Sequence, residues 1–169
     1  MLFDDTYKTI EKKSEGEFKD KGSKFISLAY PVSSEKEVKQ ILTEVRNAYS
    51  EASHHCYAYI IGHDKLKYHY SDDKERFGMA GKPIFHQIQL KDLTNTLVIV
   101  VRYFGGTILG IPGLINAYKR ASLDALNNAS YITKTIYDVY QANFDYPVFY
   151  DVMNLLEDNE LEIYSKDKQ

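Results

Sequence analysis

Leu97-Val98-Ile99-Val100-Val101-Arg102-Tyr103-Phe104 runs into Gly105-Gly106-Thr107-Ile108-Leu109-Gly110 and then into Ile111-Pro112-Gly113-Leu114. The first eight residues are rich in β-branched side chains and read as a buried strand. Both faces are apolar up to Val101, which places the strand inside a sheet rather than at its edge. The glycines stop the strand and allow positive φ or a close backbone approach. Pro112 suits the first turn of a helix, where a missing N–H costs nothing. Leu114, Ile115, Tyr118, Ala121, Ser122, Ala125 and Leu126 recur at helical spacing, and Asn127-Asn128 is the expected stop.

A strand feeding a glycine-rich turn into a helix can hold an anion, because free N–H groups and the helix dipole converge there. No Asp or Glu occurs from Leu93 to Leu123, whereas Arg102, Lys119 and Arg120 do. The plainer alternative is a tight strand-to-helix connection. The segment lacks the Gly-Lys-Ser/Thr ending of a P-loop and the spacing of a dinucleotide fingerprint.

Outward from this centre, Lys12, Lys13, Lys19, Lys21 and Lys24 are interleaved with acids and read as a solvated hairpin. Lys21-Gly22-Ser23 is a turn signal, Lys24 to Tyr30 a strand, and Met1 to Glu17 a frayed polar start. Ser34 with Glu37 forms a capping-box pattern, and Val38, Ile41, Leu42, Val45 and Tyr49 make the buried stripe of the helix that follows. Ser53 to Gly62 is a strand with His54, Cys56, Ala58 and Ile60 on one face and His55, Tyr57, Tyr59 and Ile61 on the other. The small set is expected under helices and the aromatic set over the second face. Lys65 to Tyr70 is its hairpin partner. Ser71 to Gly81 is a polar loop, and Pro83 starts a short helix with Ile84, Phe85 and Ile88. Beyond Asn128, Ile136 to Tyr146 reads as a strand, Pro147 as a helix start with Val148, Phe149, Val152, Leu155 and Leu156 inward, and Leu161 to Tyr164 as a short strand.

The chain of 169 residues fits one domain with a small second one, and 44% hydrophobic content supports a real core. The net charge of −3 argues against strong nonspecific polyanion binding. Asp151 to Gln169 holds six acids against Lys166 and Lys168, a local −4, so Met1 to Tyr150 carries +1. No apolar run approaches a membrane span, Met1 to Glu11 has no signal-peptide core, and Cys56 is the one cysteine. These features point to a cytoplasmic protein without an internal disulfide.

His54, His55 and Cys56 alternate faces and cannot close one tetrahedral zinc site. Cys56 reads as a small core residue, with a nucleophile based on His54 as the alternative. Asp72, Asp73 and Glu75 have three readings. They can decorate a solvated turn, hold a hard divalent cation with His55 or water, or supply one carboxylate that Arg102 meets bidentately if the loop folds over the end of the central strand.

Several separated motifs then resemble the YigZ/IMPACT family. These are Lys21-Gly22-Ser23-Lys24-Phe25-Ile26, Ser53-His54-His55-Cys56-Tyr57-Ala58-Tyr59, the acidic loop, Ala80-Gly81-Lys82-Pro83, Val100 to Gly110, and Gly113-Leu114-Ile115-Asn116-Ala117-Tyr118. The resemblance implies an α+β domain over 1–134, a four-stranded sheet with two helices on one face. That arrangement is similar to domain IV of elongation factor G and to a ribosomal-protein domain 2-like fold. It also implies half of a ferredoxin-like domain over 135–169. Where the family pattern reads Ser-Asp-Asp-Gly-Glu-Pro and Gly-Thr-Ala-Gly, this chain has Lys74 for glycine, Arg76 for proline and Met79 for threonine; Pro112 also replaces a glycine.

The eukaryotic members of that family look like translation regulators. The function expected is therefore a non-catalytic binding protein of the translation or RNA-associated class, with RNA, the ribosome or a translation-associated protein as partner. Candidate binding residues are Arg102, Gly105, Gly106, His54, His55, Asp72, Asp73 and Glu75, with Tyr57 and Tyr59 as stacking surface; no cofactor or catalytic residue is assigned. Two other readings stand beside it. One is an enzyme on a phosphorylated small molecule, with the acids holding a cation and His55 as acid or base. It requires a pocket joining the acidic loop to the glycine-rich turn. The other is a protein-interaction module with an exposed apolar patch.

Overall fold

The apolar run forms strand β6, Thr96–Tyr103, and every residue of it before Tyr103 is buried. The computed structural model describes residues 5–166. β6 pairs antiparallel on one side with β3 (Ser23–Pro31) and on the other with β4 (His54–Ile61). β2 (Ser14–Asp20) and β5 (Lys67–Ser71) complete a five-stranded antiparallel sheet in the order β2-β3-β6-β4-β5.

Side-chain alternation in β6 explains why both faces are apolar. Val98 and Val100 join Phe25, Ala29, Cys56, Ala58 and Ile60 beneath helices α2 (Gly81–Leu90) and α3 (Gly110–Asn127). Leu97, Ile99 and Val101 join Leu28, Tyr59 and Ile61 beneath α1 (Glu35–Ala48), which contributes Val38, Leu42 and Val45. The α+β class is as expected, and two helices do share a face. The sheet is wider by β5, and α1 covers the opposite face, because a central strand apolar on both sides needs cover on both. That cover corrects one expectation. Tyr57 and Tyr59 lie on the α1 face, where Tyr59 is buried and donates its hydroxyl proton to Glu35 at 2.8 Å, so this pair offers no open stacking platform.

The local signals hold where they are strong. Ser34 Oγ accepts from the Glu37 N–H at 3.2 Å, while the Glu37 carboxylate turns back to the Ser33 N–H at 2.8 Å. The β2–β3 hairpin turns through Lys21 (φ 45°) and Gly22 (φ 82°), the left-handed pair that suits the twist of a two-residue hairpin loop.

Other expectations fail for want of a local signal. Within Met1 to Glu17, the part from Asp5 on is ordered into β1 (Thr6–Ile10), with Ile10 in the core. Its antiparallel partner is β7 (Tyr131–Thr135), so the pairing joins opposite ends of this part of the chain. Residues 1–4 lie outside the described range.

The chain divides into two compact units, 1–136 and 137–169. In the second unit Pro147 opens a short 3₁₀ turn, Tyr146–Val148, that leads into α4, Phe149–Asp158. The Phe149 ring lies 6.3 Å from Phe144 and 6.1 Å from Tyr146. The strands expected at Ile136 to Tyr146 and Leu161 to Tyr164 are not formed among the described residues. A strand is stable only when its backbone N–H and C=O groups find a neighbour, and no ladder forms among the described residues of this unit.

Candidate functional site

The acidic loop is built by its own carboxylates. Glu75 N–H donates to the Asp72 carbonyl at 2.8 Å, with Asp73 (φ 40°) and Lys74 (φ 66°) between them in left-handed conformation. That turn favours Asp-Gly, so Lys74 is strained at a position that suits glycine. Lys74→Gly removes roughly 1–2 kcal/mol of left-handed strain and restores about 0.5–1 kcal/mol of unfolded-chain entropy. The expected outcome is a net gain of roughly 0.5–1 kcal/mol, read as a higher urea midpoint at unchanged slope.

Asp72 organises the entry to α2. Its carboxylate accepts from the N–H groups of Gly78 at 2.8 Å, Ala80 at 3.1 Å and Gly81 at 2.8 Å, supplying the cap that Ala80 lacks. Asp73 accepts from the His55 N–H at 2.8 Å. The His55 ring is buried, with Nε2 donating to the Tyr49 carbonyl at 2.9 Å. His54 Nδ1 meets the Asp73 carbonyl at 3.0 Å and so carries a proton there. Cys56 donates its thiol proton to the Asp72 carbonyl at 3.0 Å and is fully buried. Burial pushes that thiol far above its usual range, which makes Cys56 a core residue rather than a nucleophile. The loop is thus stitched to the first three residues of β4.

Glu75 ties the loop to β6 and α3. One of its oxygens, Oε2, accepts from Arg102 Nη1 at 2.6 Å and from the Tyr118 hydroxyl at 2.8 Å, with His54 Nε2 at 3.6 Å. Burial acts to raise the Glu75 carboxyl; the hydrogen bonds from Arg102 and Tyr118 and the charges of His54 and Arg102 outweigh it and hold the group below its ordinary value. The pairing with Arg102 is observed for one of the acids, Glu75, and runs through a single guanidinium nitrogen and a single carboxylate oxygen rather than bidentately as expected. The lowered value fixes the sign of the pH dependence. The contribution of Glu75 is intact above its unfolded value, about 4.3, and is lost as pH falls through the folded one. Urea midpoints taken from pH 6 down to pH 3 are expected to fall, and to fall less in Glu75→Gln.

Arg102 itself is only 6% exposed. Its guanidinium lies between the rings of Phe25 and Phe104, each centred 5.5 Å from Cζ, and among the described residues its Nε has no hydrogen-bond partner. The glycines beyond it divide into two kinds. Gly105 backs directly onto the Gly22 turn, where a Cβ would stand 1.9 Å from the Gly22 carbonyl carbon, and its N–H donates to Ser23 Oγ at 3.2 Å. Gly106 (φ 86°) and Gly110 (φ 73°) face open space. Among the described residues, the N–H groups of Gly106 to Ile111 donate to no other group, and Leu109, at the N-cap of α3, makes no side-chain cap.

A cleft of about 220 Å³ joins the acidic loop to this turn, lined by Arg76, Arg102, Phe104, Ile108, Ile111 and Leu114 among others. This is the pocket that the enzyme reading requires, but its chemistry is not assembled there. Asp72 and Asp73 hold backbone amides, and His55 lies on the α1 face of the sheet, away from Arg102. Among the described residues, no three His, Cys, Asp or Glu side chains converge to hold a metal ion. Sequence reading missed Tyr118 as a site residue, although a buried tyrosine hydroxyl always demands a partner. It also missed Phe104 and Ile108, whose signal was apolar side chains inside a glycine-rich turn.

Fold and cleft define an antiparallel α+β domain with a largely apolar recess beside a buried arginine–glutamate pair. Residues 21–126 match the Impact N-terminal domain family, and the chain belongs to that family. It is 30% identical over 155 residues to the IMPACT family member YvyE of Bacillus subtilis, covering 92% of this chain and 71% of that protein. It is 31% identical over 151 residues to the IMPACT family member YigZ of Escherichia coli, covering 88% and 74%. A crystal structure of a hypothetical protein superposes with a TM-score of 0.82 at 28% identity, covering 98% of this chain and 81% of that one. No helix among the described residues is long and apolar enough to cross a membrane.

Proposed function

We propose that this chain is a non-catalytic binding protein of the translation or RNA-associated class, acting in the cytoplasm, and that it takes a phosphate or carboxylate group at the Gly105–Gly110 turn. The observation that carries this reading is the run of unpartnered amides from Gly106 to Ile111 at the uncapped start of α3, beside Arg76 and Arg102. In this reading Gly106 and Arg102 face the ligand. His54, His55, Asp72, Asp73, Glu75 and Gly105 hold the loop and the turn in position. Membership of the IMPACT family supports the translation-associated class, with RNA, the ribosome or a translation-associated protein as the partner. Residues 135–169 are read as the opening of a second, ferredoxin-like domain.

The test is co-sedimentation with ribosomes and with RNA across a salt series, comparing wild type with Arg76→Ala. Arg76 is exposed at the cleft, so its removal leaves the fold intact. Binding that weakens with salt, with a slope about one unit smaller in the variant, supports the reading. No co-sedimentation with either at low salt overturns the nucleic-acid form of it.

A further inference from the structure

Resting on the RNA-associated class proposed above, but not on the glycine turn, we infer that α2 is the ridge of a single-stranded RNA site, with a base edge read by Gln87 on one flank and bases stacked on Tyr68 and Tyr70 on the other. A groove of about 740 Å³ runs between α2 and α3, lined by Lys82, His86, Gln87, Leu90, Ile115 and Lys119 among others. No Asp or Glu lines it, and among the described residues neither Lys82 nor Lys119 has a carboxylate partner.

Gln87 is the decisive residue. It is only 4% exposed, yet its side-chain amide makes no hydrogen bond among the described residues. The amide is not sealed from solvent either, since the atom both sealed and unpartnered among the described side chains is Arg102 Nε. Gln87 therefore lines the groove with a donor and an acceptor unsatisfied, which is costly in a position so nearly buried. A carboxylate only accepts, so an acidic peptide side chain would leave the Gln87 carbonyl without a donor, and an aliphatic one would leave both groups. A phosphate alone fails in the same way. The edge of a nucleobase presents a donor beside an acceptor and matches the amide on both. That edge is free only in a single strand, because pairing uses it in a duplex. Leu90 and Ile115 then flank the base, and Lys82 and Lys119 take the neighbouring phosphates.

The opposite flank of the same helix is aromatic. Tyr68 and Tyr70 stand on β5 at 54% and 40% exposure, with their rings 5.0 Å and 5.4 Å from the Phe85 ring of α2. Phe85 fixes their position while they stay open to solvent, and they form the stacking platform that the Tyr57–Tyr59 pair does not provide. Neither α2 nor β5 contains an Asp or Glu. Exposed aromatic rings beside a cationic groove hold a single strand by stacking and by phosphate contact together.

The experiment is fluorescence anisotropy of a 5′-labelled single-stranded RNA octamer of mixed sequence, titrated with the whole chain. Unlabelled competitors are the same octamer, its duplex, inorganic polyphosphate of equal charge and oligoglutamate. The octamer is expected to bind saturably and to compete at least tenfold better than the other three. Gln87→Leu and Tyr68→Ala are each expected to weaken it about fivefold. Thermal unfolding of Gln87→Leu is expected at an unchanged or higher midpoint, because an unpaired polar group leaves a nearly buried position. Lys119→Ala is expected to lower the salt slope by about 0.7, one phosphate contact of a single strand. Any other competitor as good as the octamer overturns the inference, and so does either Gln87→Leu or Tyr68→Ala binding it like wild type. If Arg76→Ala alone weakens the octamer, the strand lies at the glycine turn, and that reading stands without this one. An octamer that does not bind, with ribosome co-sedimentation intact, overturns the site on α2 alone; absence of both overturns the nucleic-acid reading as well.

Discussion

Arg102→Leu is expected to cost about 3–5 kcal/mol of stability, read from urea unfolding, because it removes one partner of a buried ion pair and leaves the other. Glu75 would keep the burial that acts to raise its carboxyl and lose the first of the hydrogen bonds that oppose it. Phe25 and Phe104 would lose the guanidinium between them. Replacing both partners by leucine should recover a large part of the loss, since two apolar groups carry no uncompensated charge. A single-variant cost below about 1 kcal/mol would show that the pair is ornamental, because that is the worth of an exposed one. The same result bears on function. A binding defect in an Arg102 variant reports the fold as much as the ligand, which is why Arg76 is the informative position.

Gly105→Ala is expected to be the second severe change, at about 3 kcal/mol, near the upper end for added atoms in a filled space. The new Cβ would lie 1.9 Å from the Gly22 carbonyl carbon and 2.3 Å from the Ser23 nitrogen, backbone atoms that no side-chain rotation can move aside. In a chain of this size that corresponds to a fall in melting temperature of roughly 6–12 °C. Gly106→Ala meets nothing within 4 Å and suffers only from its φ of 86°, a cost of about 1–2 kcal/mol. Equal losses at the two positions would mean that the glycine-rich turn does not rest on the β2–β3 hairpin. The contrast separates a glycine that lets two turns touch from a glycine that shapes an open recess, although both were candidates for the same binding role.

Much of the scaffold was legible because its signals are local. The β-branched run at Leu97–Val101, the Ser34/Glu37 cap and the Lys21-Gly22 turn each act within a few residues, through side-chain sterics and hydrogen bonds to the nearest backbone. Alternation in β4 sorted Cys56, Ala58 and Ile60 from Tyr57, Tyr59 and Ile61 correctly, because a pleated strand leaves no choice. What escaped was whatever depends on a distant partner. β1 is ordinary polar sequence until β7 supplies its hydrogen bonds, and the stretches at 136–146 and 161–164 have strand-like composition but no ladder.

The sequence by itself determined the central strand, the glycine turn into α3, the capped α1 and the residue types of the site. Those follow from backbone preferences and apolar periodicity, which act over short spans of chain. Only the tertiary structure decided what the charged residues do. It set Asp72 on three amides, Asp73 on His55, and Glu75 between Arg102 and Tyr118. Carboxylates in a loop are chemically alike until folding brings a donor within hydrogen-bond reach and excludes water from the pair. Residue spacing alone does not carry that information.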